Sequence, residues 1–203
     1  MMSLALMAAP AMAAKPVKVI EPLAAGVAGN VTVVGTTVTI GETARPIADK
    51  LEAKAAEKRT AAKLPPMDAA ATPASRSAPA VYETLPLTTM FPLEVEDVTR
   101  DWGLTSGRPV RIAITIDTIK TANGGMMLLL GSTDQLAGLV DVTDAATGAK
   151  LGSFYVDVLN AHGGMLGAAI RGAGVREKLA AEFAKHIAEQ LSGSKHKPKA
   201  KAA

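Results

Sequence analysis

Leu136-Ala-Gly-Leu-Val140-Asp-Val142-Thr-Asp144-Ala-Ala-Thr-Gly148-Ala-Lys150-Leu-Gly-Ser-Phe154-Tyr-Val156-Asp-Val158-Leu159 is the stretch that decides the fold. Val140 and Val142 share one side of an alternating run over about 136–143, and Phe154, Val156 and Val158 share one side of a second run over 150–159. A period of two is the signature of a half-buried strand. Between the runs, Asp144 suits a turn start and Gly148 supplies the left-handed residue that closes a four- or five-residue hairpin loop. The stretch therefore predicts an antiparallel hairpin with one apolar face.

Upstream, Val110, Ile112, Ile114 and Ile116 alternate with Arg111, Ala113, Thr115 and Asp117, which predicts a third strand after a turn at Gly107-Arg108-Pro109. Before that turn, Leu93, Val95, Val98 and Trp102 fall near helical spacing from about Leu87, and Gly103 suits a helix C-terminus. Downstream, Val175, Leu179, Phe183, Ile187 and Leu191 recur every four residues beside Ala180, Ala184 and Ala188, the clearest amphipathic helix in the chain. Helix, three strands and helix predict an α+β fold over residues 87–192: a small antiparallel sheet of three or more strands packed against one or two helices.

The first half of the sequence reads differently. Met1 to Ala14 is apolar and uncharged, and Ala11-Met12-Ala13 fits a small-x-small cleavage site. Residues 1–13 thus resemble the apolar part of a secretory signal peptide, although no Lys or Arg precedes the run. Within 14–64, Val17 to Ile20 and Asn30 to Ile40 are β-branched and predict strands, the second broken near Gly35. A helix is expected from Ala44 to Leu64, capped by Thr43, with a thin stripe of Ile47, Leu51 and Ala55 that leaves it solvated or loosely docked. Residues 65–86 carry Pro65, Pro66, Pro73, Pro79 and Pro86 among Ala, Ser and Thr, and read as a disordered linker. Residues 193–203 read as a Lys-rich disordered tail.

Composition removes several functions. Hydrophobic content is 48% but aromatics are only 3%, so bulky core residues must be Leu, Ile, Val and Met and are concentrated in the second half. Formal charge is +3, and without Lys195, Lys197, Lys199 and Lys201 it falls to −1, so no nucleic-acid surface is expected. The absence of cysteine excludes disulfides, thiolate metal sites, a thiol nucleophile and a lipid anchor on Cys. Outside the first residues no run approaches the 18 apolar residues that mark a membrane-spanning helix.

No catalytic, cofactor-binding or metal-binding residue is assigned. His162, His186 and His196 read as surface or rim histidines rather than metal ligands. Glu94, Glu96, Asp97 and Asp101 form an acidic patch, with Asp97 and Asp101 one helical turn apart, and read as the solvated side of the helix that carries Trp102. Gly163 to Gly174 (GGMLGAAIRGAG) lacks the Lys and Ser/Thr of a P-loop. It also places Glu177 where a dinucleotide fingerprint needs its third Gly, leaving Arg171 and Arg176 as at most a weak anion site. The glycines and alanines there recur every four residues, and Gly124 to Gly131 is a second Gly-bracketed apolar patch. Both suit close packing against a membrane or a partner. No Gly-x-Ser-x-Gly elbow is present.

From Arg108 to Leu191 the order of features resembles a family of uncharacterised bacterial envelope proteins, many of them lipoproteins. The features are a strand, the Gly124–Gly131 patch, a strand ending in the Asp144-Ala-Ala-Thr-Gly148 hairpin, a return strand, the Gly163–Gly174 stretch and an Ala-rich helix. The resemblance implies an exported, envelope-associated protein and no particular activity. The expectation is a non-enzymatic, periplasmic or envelope-associated interaction module without cofactor. It would bind an unknown envelope protein or further copies of itself, with peripheral membrane contact, through the apolar Gly-rich segments and the exposed sheet face. A subunit of an oligomeric outer-membrane channel or a secretion accessory is the alternative, and an enzyme using the acidic helix a second.

Overall fold

The computed structural model describes residues 15–63, 85–121, 132–162 and 175–194. Their order is β1 (Val17–Glu21), β2 (Val31–Ile40), α1 (Arg45–Ala61), α2 (Leu87–Asp101), β3 (Arg108–Lys120), β4 (Ser132–Asp144), β5 (Lys150–His162) and α3 (Val175–Ser192). The strands form one five-stranded sheet in the order β1-β5-β4-β3-β2. The α+β class stands, with one change: the sheet is mixed. β3, β4, β5 and β1 are antiparallel neighbours, whereas β2 runs parallel to β3. The predicted hairpin supplies the centre, and the two N-terminal strands add one to each edge. The signal-like run 1–14, nearly all of the proline-rich spacer, both Gly-bracketed segments and the Lys-rich tail lie outside the described residues.

The alternation read from the sequence becomes the inner face of the sheet. Val110, Ile112, Ile114, Ile116, Val140, Val142, Phe154, Val156 and Val158 are all buried. α2 and α3 cover this face. From α3 it receives Leu179, Phe183, Ile187 and Leu191, with Ala180, Ala184 and Ala188 letting the helix sit close. Phe91 of α2 meets Phe183 edge-to-face, with ring centroids 5.3 Å apart and planes at 85°, the geometry that the ring quadrupoles favour. α2 contains Pro92 and ends in a Schellman pattern: Gly103 N–H donates to Arg100 O (2.9 Å) and Leu104 N–H to Thr99 O (2.9 Å).

The N-terminal segment wraps this core. After β1, Ala24 N–H donates to Leu151 O (2.7 Å), the buried Val27 closes the end of the core, and Gly29 N–H donates to Leu191 O (2.7 Å). That last bond satisfies one of the carbonyls a helix leaves open at its C-terminus. The chain so crosses from one sheet edge to the other, where Arg108 N–H donates to Asn30 O (3.0 Å). β2 is not broken at Gly35 but bulged: the register with β3 shifts between Val33 and Gly35. α1 starts one residue later than expected, with the buried Ala44 in place of Thr43 at its N-cap, no side-chain cap, and Pro46 in its first turn. Ala48 and Ala55 are buried under it, with Ile47 and Leu51 packed at the edge of the core.

The hairpin turn hangs on one carboxylate. Asp144 Oδ1 accepts from Ala146 N–H (3.1 Å), Thr147 N–H (2.7 Å) and the Thr147 hydroxyl (2.8 Å), and Oδ2 accepts from Arg108 Nε (2.6 Å). Gly148 takes the expected left-handed conformation, φ 72°. The Arg108 guanidinium, followed by the Thr147 amide and hydroxyl, holds the Asp144 carboxyl well below the usual carboxylate range. A pKa depressed by folding stabilises the native state fully above the unfolded value, about 4. That contribution fades as pH falls from there through the folded pKa. Acid titration of unfolding is therefore expected to show an acid limb below about pH 4 that Asp144→Asn flattens. Identical limbs in the two proteins would remove Asp144 as its origin.

Candidate interaction surface

β3 ends, β4 begins, β5 ends and α3 begins at the same end of the sheet. Lys120 pairs with Gln135 and Ser132 with His162, so the chain leaves the sheet at 120, re-enters at 132 and leaves again at 162 from adjacent strand positions. The two Gly-bracketed segments, 124–131 and 163–174, are thus anchored side by side although their own residues lie outside the described ones. Leu85, inside the end of the spacer read as disordered to residue 86, is buried in the core, as is Leu87, and Leu87 lies at this end.

Between these anchors lies a small pocket of about 20 Å3, partly open to solvent, walled by Leu51, Leu87, Ile119, Leu136 and Leu179, with Thr121 and Arg176 also lining it. Ile119 continues the inner row of β3 after a phase slip: the register with β4 shifts between Ile116 and Thr118. That bulge is why alternation in the sequence stops at Asp117 and the extra turn of strand was not legible. Leu51 arrives from the thin stripe of α1. The pocket is hydrophobic with one buried charge, and that charge is matched: Arg176 Nε and Nη2 lie 3.0 and 2.9 Å from Glu177 Oε1. A guanidinium neutralised by its neighbour is a poor anion receptor, and Arg171 lies outside the described residues.

The opposite face of the sheet is polar. Arg111, Ala113 and Thr115 are exposed, and Tyr155 O–H donates to Asp117 Oδ1 (2.7 Å) while Gln135 Nε2 donates to Asp157 Oδ1 (2.8 Å). Burial first, and then the hydrogen bond to the Asp117 carboxylate, push the Tyr155 phenol up to about 12. Lys150 bridges Glu21 of β1 (3.0 Å) and Asp141 of β4 (3.2 Å), and these two carboxylates, Glu21 foremost, raise its pKa. The carboxylates of this network each have a polar or charged partner, which suits a solvated face.

The remaining candidates separate in space. The acidic patch of α2 faces outward, where Arg100 pairs with Asp97 and lies 3.8 Å from Glu96. His186 is buried beside the apolar stripe of α3, and its neighbours were passed over in the sequence: Glu189 Oε2 lies 2.6 Å from Nδ1 and Glu182 Oε1 3.7 Å from Nε2. The first distance is a hydrogen bond, too short to admit a metal ion at ordinary ligand lengths on both sides. Among the described residues no group of three or more His, Cys, Asp or Glu converges as a metal site. No helix of the described residues is long and apolar enough to cross a membrane. The side chain of His162 and all of His196 lie outside the described residues.

No family model and no curated protein matches the chain. Among solved structures, a PelC dodecamer from Paraburkholderia phytofirmans is similar at 13% identity, over 88% of this chain and 96% of that one, with a TM-score of 0.40. A DUF330 protein from Xanthomonas campestris is similar at 15% identity, over 54% of this chain and 64% of that one, with a TM-score of 0.41. A lipoprotein from Neisseria meningitidis is similar at 12% identity, over 81% and 98%, with a TM-score of 0.28. The structural neighbours thus include a lipoprotein and a DUF330 protein.

Proposed function

We infer that the chain is a non-enzymatic, envelope-associated interaction module that engages its partner through the apolar end of the sheet. The observation that carries this is the pairing of Lys120 with Gln135 and of Ser132 with His162, which roots two Gly-bracketed apolar segments next to each other beside an apolar pocket. Apolar sequence concentrated between neighbouring strand ends, rather than scattered, suits a contact surface. In sequence, Met126 to Leu130 is a run of five large apolar residues, and the other segment holds Met165, Leu166 and Ile170. The signal-like residues 1–13 support export.

Two measurements on the full-length gene product test the two halves of this reading. Cell fractionation with mass spectrometry of the N-terminus is expected to find the protein in the envelope fraction, beginning near Lys15. Material wholly in the cytosol with residues 1–14 intact contradicts export. Leu128→Asp with Leu129→Asp is expected to release the protein from whatever it sediments with, at an unchanged melting temperature. Unchanged sedimentation contradicts the assigned surface. An oligomeric channel would place the same two segments as inserted hairpins. It is favoured over the soluble module if the protein elutes from detergent as a large oligomer and is never recovered from the membrane-free fraction.

A further inference from the structure

We propose that β2 is a self-association edge, along which a second copy of this chain adds its own β2 in antiparallel orientation. An edge strand presents unpaired backbone N–H and C=O groups, and proteins ordinarily guard such an edge with Lys, Pro or a short strand. β1 follows that rule. It is five residues long, bulged between Val19 and Glu21, carries Lys18 and Glu21, and is fastened by the bridge from Lys150. β2 follows it only near its start, where the bulge between Val33 and Gly35 lies; from Gly35 to Ile40 its pairing with β3 is regular. It is ten residues long, and every residue except Gly35 is β-branched. Among the described strands it alone has no charged side chain.

Both ends of β2 are engaged: Thr32 bridges to Thr105, and the carbonyl of Ile40 accepts from the Arg45 guanidinium. Among the described residues the stretch between them, Val33 to Thr39, pairs only with β3. Its side chains are not hidden. Val34 is 53% exposed, and Thr37 and Thr39 are exposed on the polar face.

The occupant follows from the chemistry of the edge. An added strand with a charge would set it over a neutral, β-branched row with no counter-charge. A second β2 brings none. In an antiparallel pair centred on Val38, Thr37 meets Thr39 on the polar face and Thr36 meets Ile40 on the helix side. Cross-strand Thr–Thr pairs are favourable. The symmetry closes as a two-fold dimer, joining two five-stranded sheets into one. This contact depends neither on export nor on the apolar end, so it stands or falls apart from the proposed function.

Light scattering on the full chain is expected to give twice the 20.8 kDa chain mass. Thr37→Lys with Thr39→Lys, and separately Thr37→Glu with Thr39→Glu, are each expected to give monomers with the melting temperature of the monomeric fold. An equimolar mixture of the two is expected to restore the dimer, since Lys then faces Glu. A wild-type monomer, a wild-type mass that the lysines leave unchanged, or a mixture that stays monomeric overturns the proposal. Should a charged variant fail to fold, amide exchange of the wild type over a dilution series reads the same contact. Protection of Val33–Thr39 that falls on dilution supports it, and protection independent of concentration overturns it.

Discussion

Truncating Phe183 to alanine is expected to lower stability by about 3–5 kcal/mol, the range for a fully buried aromatic. Phe183 is fully buried near the middle of α3, a helix that packs on both α2 and the sheet, and its ring touches Phe91 of α2. The edge-to-face contact with Phe91 adds about 0.5–1.5 kcal/mol beyond burial. Phe91→Ala is therefore expected to cost less on a Phe183→Ala background than on the wild type, the sign of a shared contact. Urea unfolding of the four proteins in this cycle measures both. A loss under about 1.5 kcal/mol for Phe183→Ala, the size of a volume-conserving change, would mean that α3 does not rest on the sheet as described.

The second large effect is expected at Gly107. Its φ is 109°, a region that residues with a side chain rarely adopt, and a Cβ built there would stand 2.5 Å from the backbone carbon and oxygen of Asn30. Neither obstacle can yield without shifting main chain, because Asn30 O accepts from Arg108 N–H at 3.0 Å and leads directly into β2. Gly107→Ala is expected to destabilise by about 3 kcal/mol, combining backbone strain with overpacking. The loss should come with faster amide exchange in β2 as well as at the start of β3, since the clash lies between them. At Gly148 a Cβ meets nothing within 4 Å, although its φ of 72° is also left-handed. Gly148→Ala is thus the control: strain without collision, and a loss of about 1 kcal/mol.

These two positions mark where the sequence was informative. The central hairpin, β3 and α3 were legible because each buries one face only, and a half-buried element writes its period into the sequence. Val140, Val142, Phe154, Val156 and Val158 fall on the inner face as read, and the Asp144 and Gly148 turn formed as its chemistry requires. The role of the N-terminal half was not legible. β1 and β2 showed their β-branched character, but strand partners many residues away leave no local mark. The parallel pairing of β2 with β3 depends on a chain path around the end of α3. Bulges erased the phase at Val34 and Asp117, which hid the continuity of β2 and the inward Ile119. The candidate surface was half legible. The apolar Gly-bracketed segments stood out in composition. Their anchoring at adjacent strand ends follows only from strand register. Leu51 and Arg176 join the pocket by tertiary placement that no spacing encodes.

The account rests on one sheet assembled from both halves of the chain, because that assembly leaves β2 at an edge and brings Lys120, Ser132 and His162 together at the opposite end from the hairpin turn. Native-state hydrogen exchange measures it most directly. The amides of Val31–Ile40 that bond to β3 are predicted to exchange with the same opening free energy as those shared by β4 and β5, through global unfolding. Free exchange along Val31–Ile40 while β3, β4 and β5 stay protected would contradict the account.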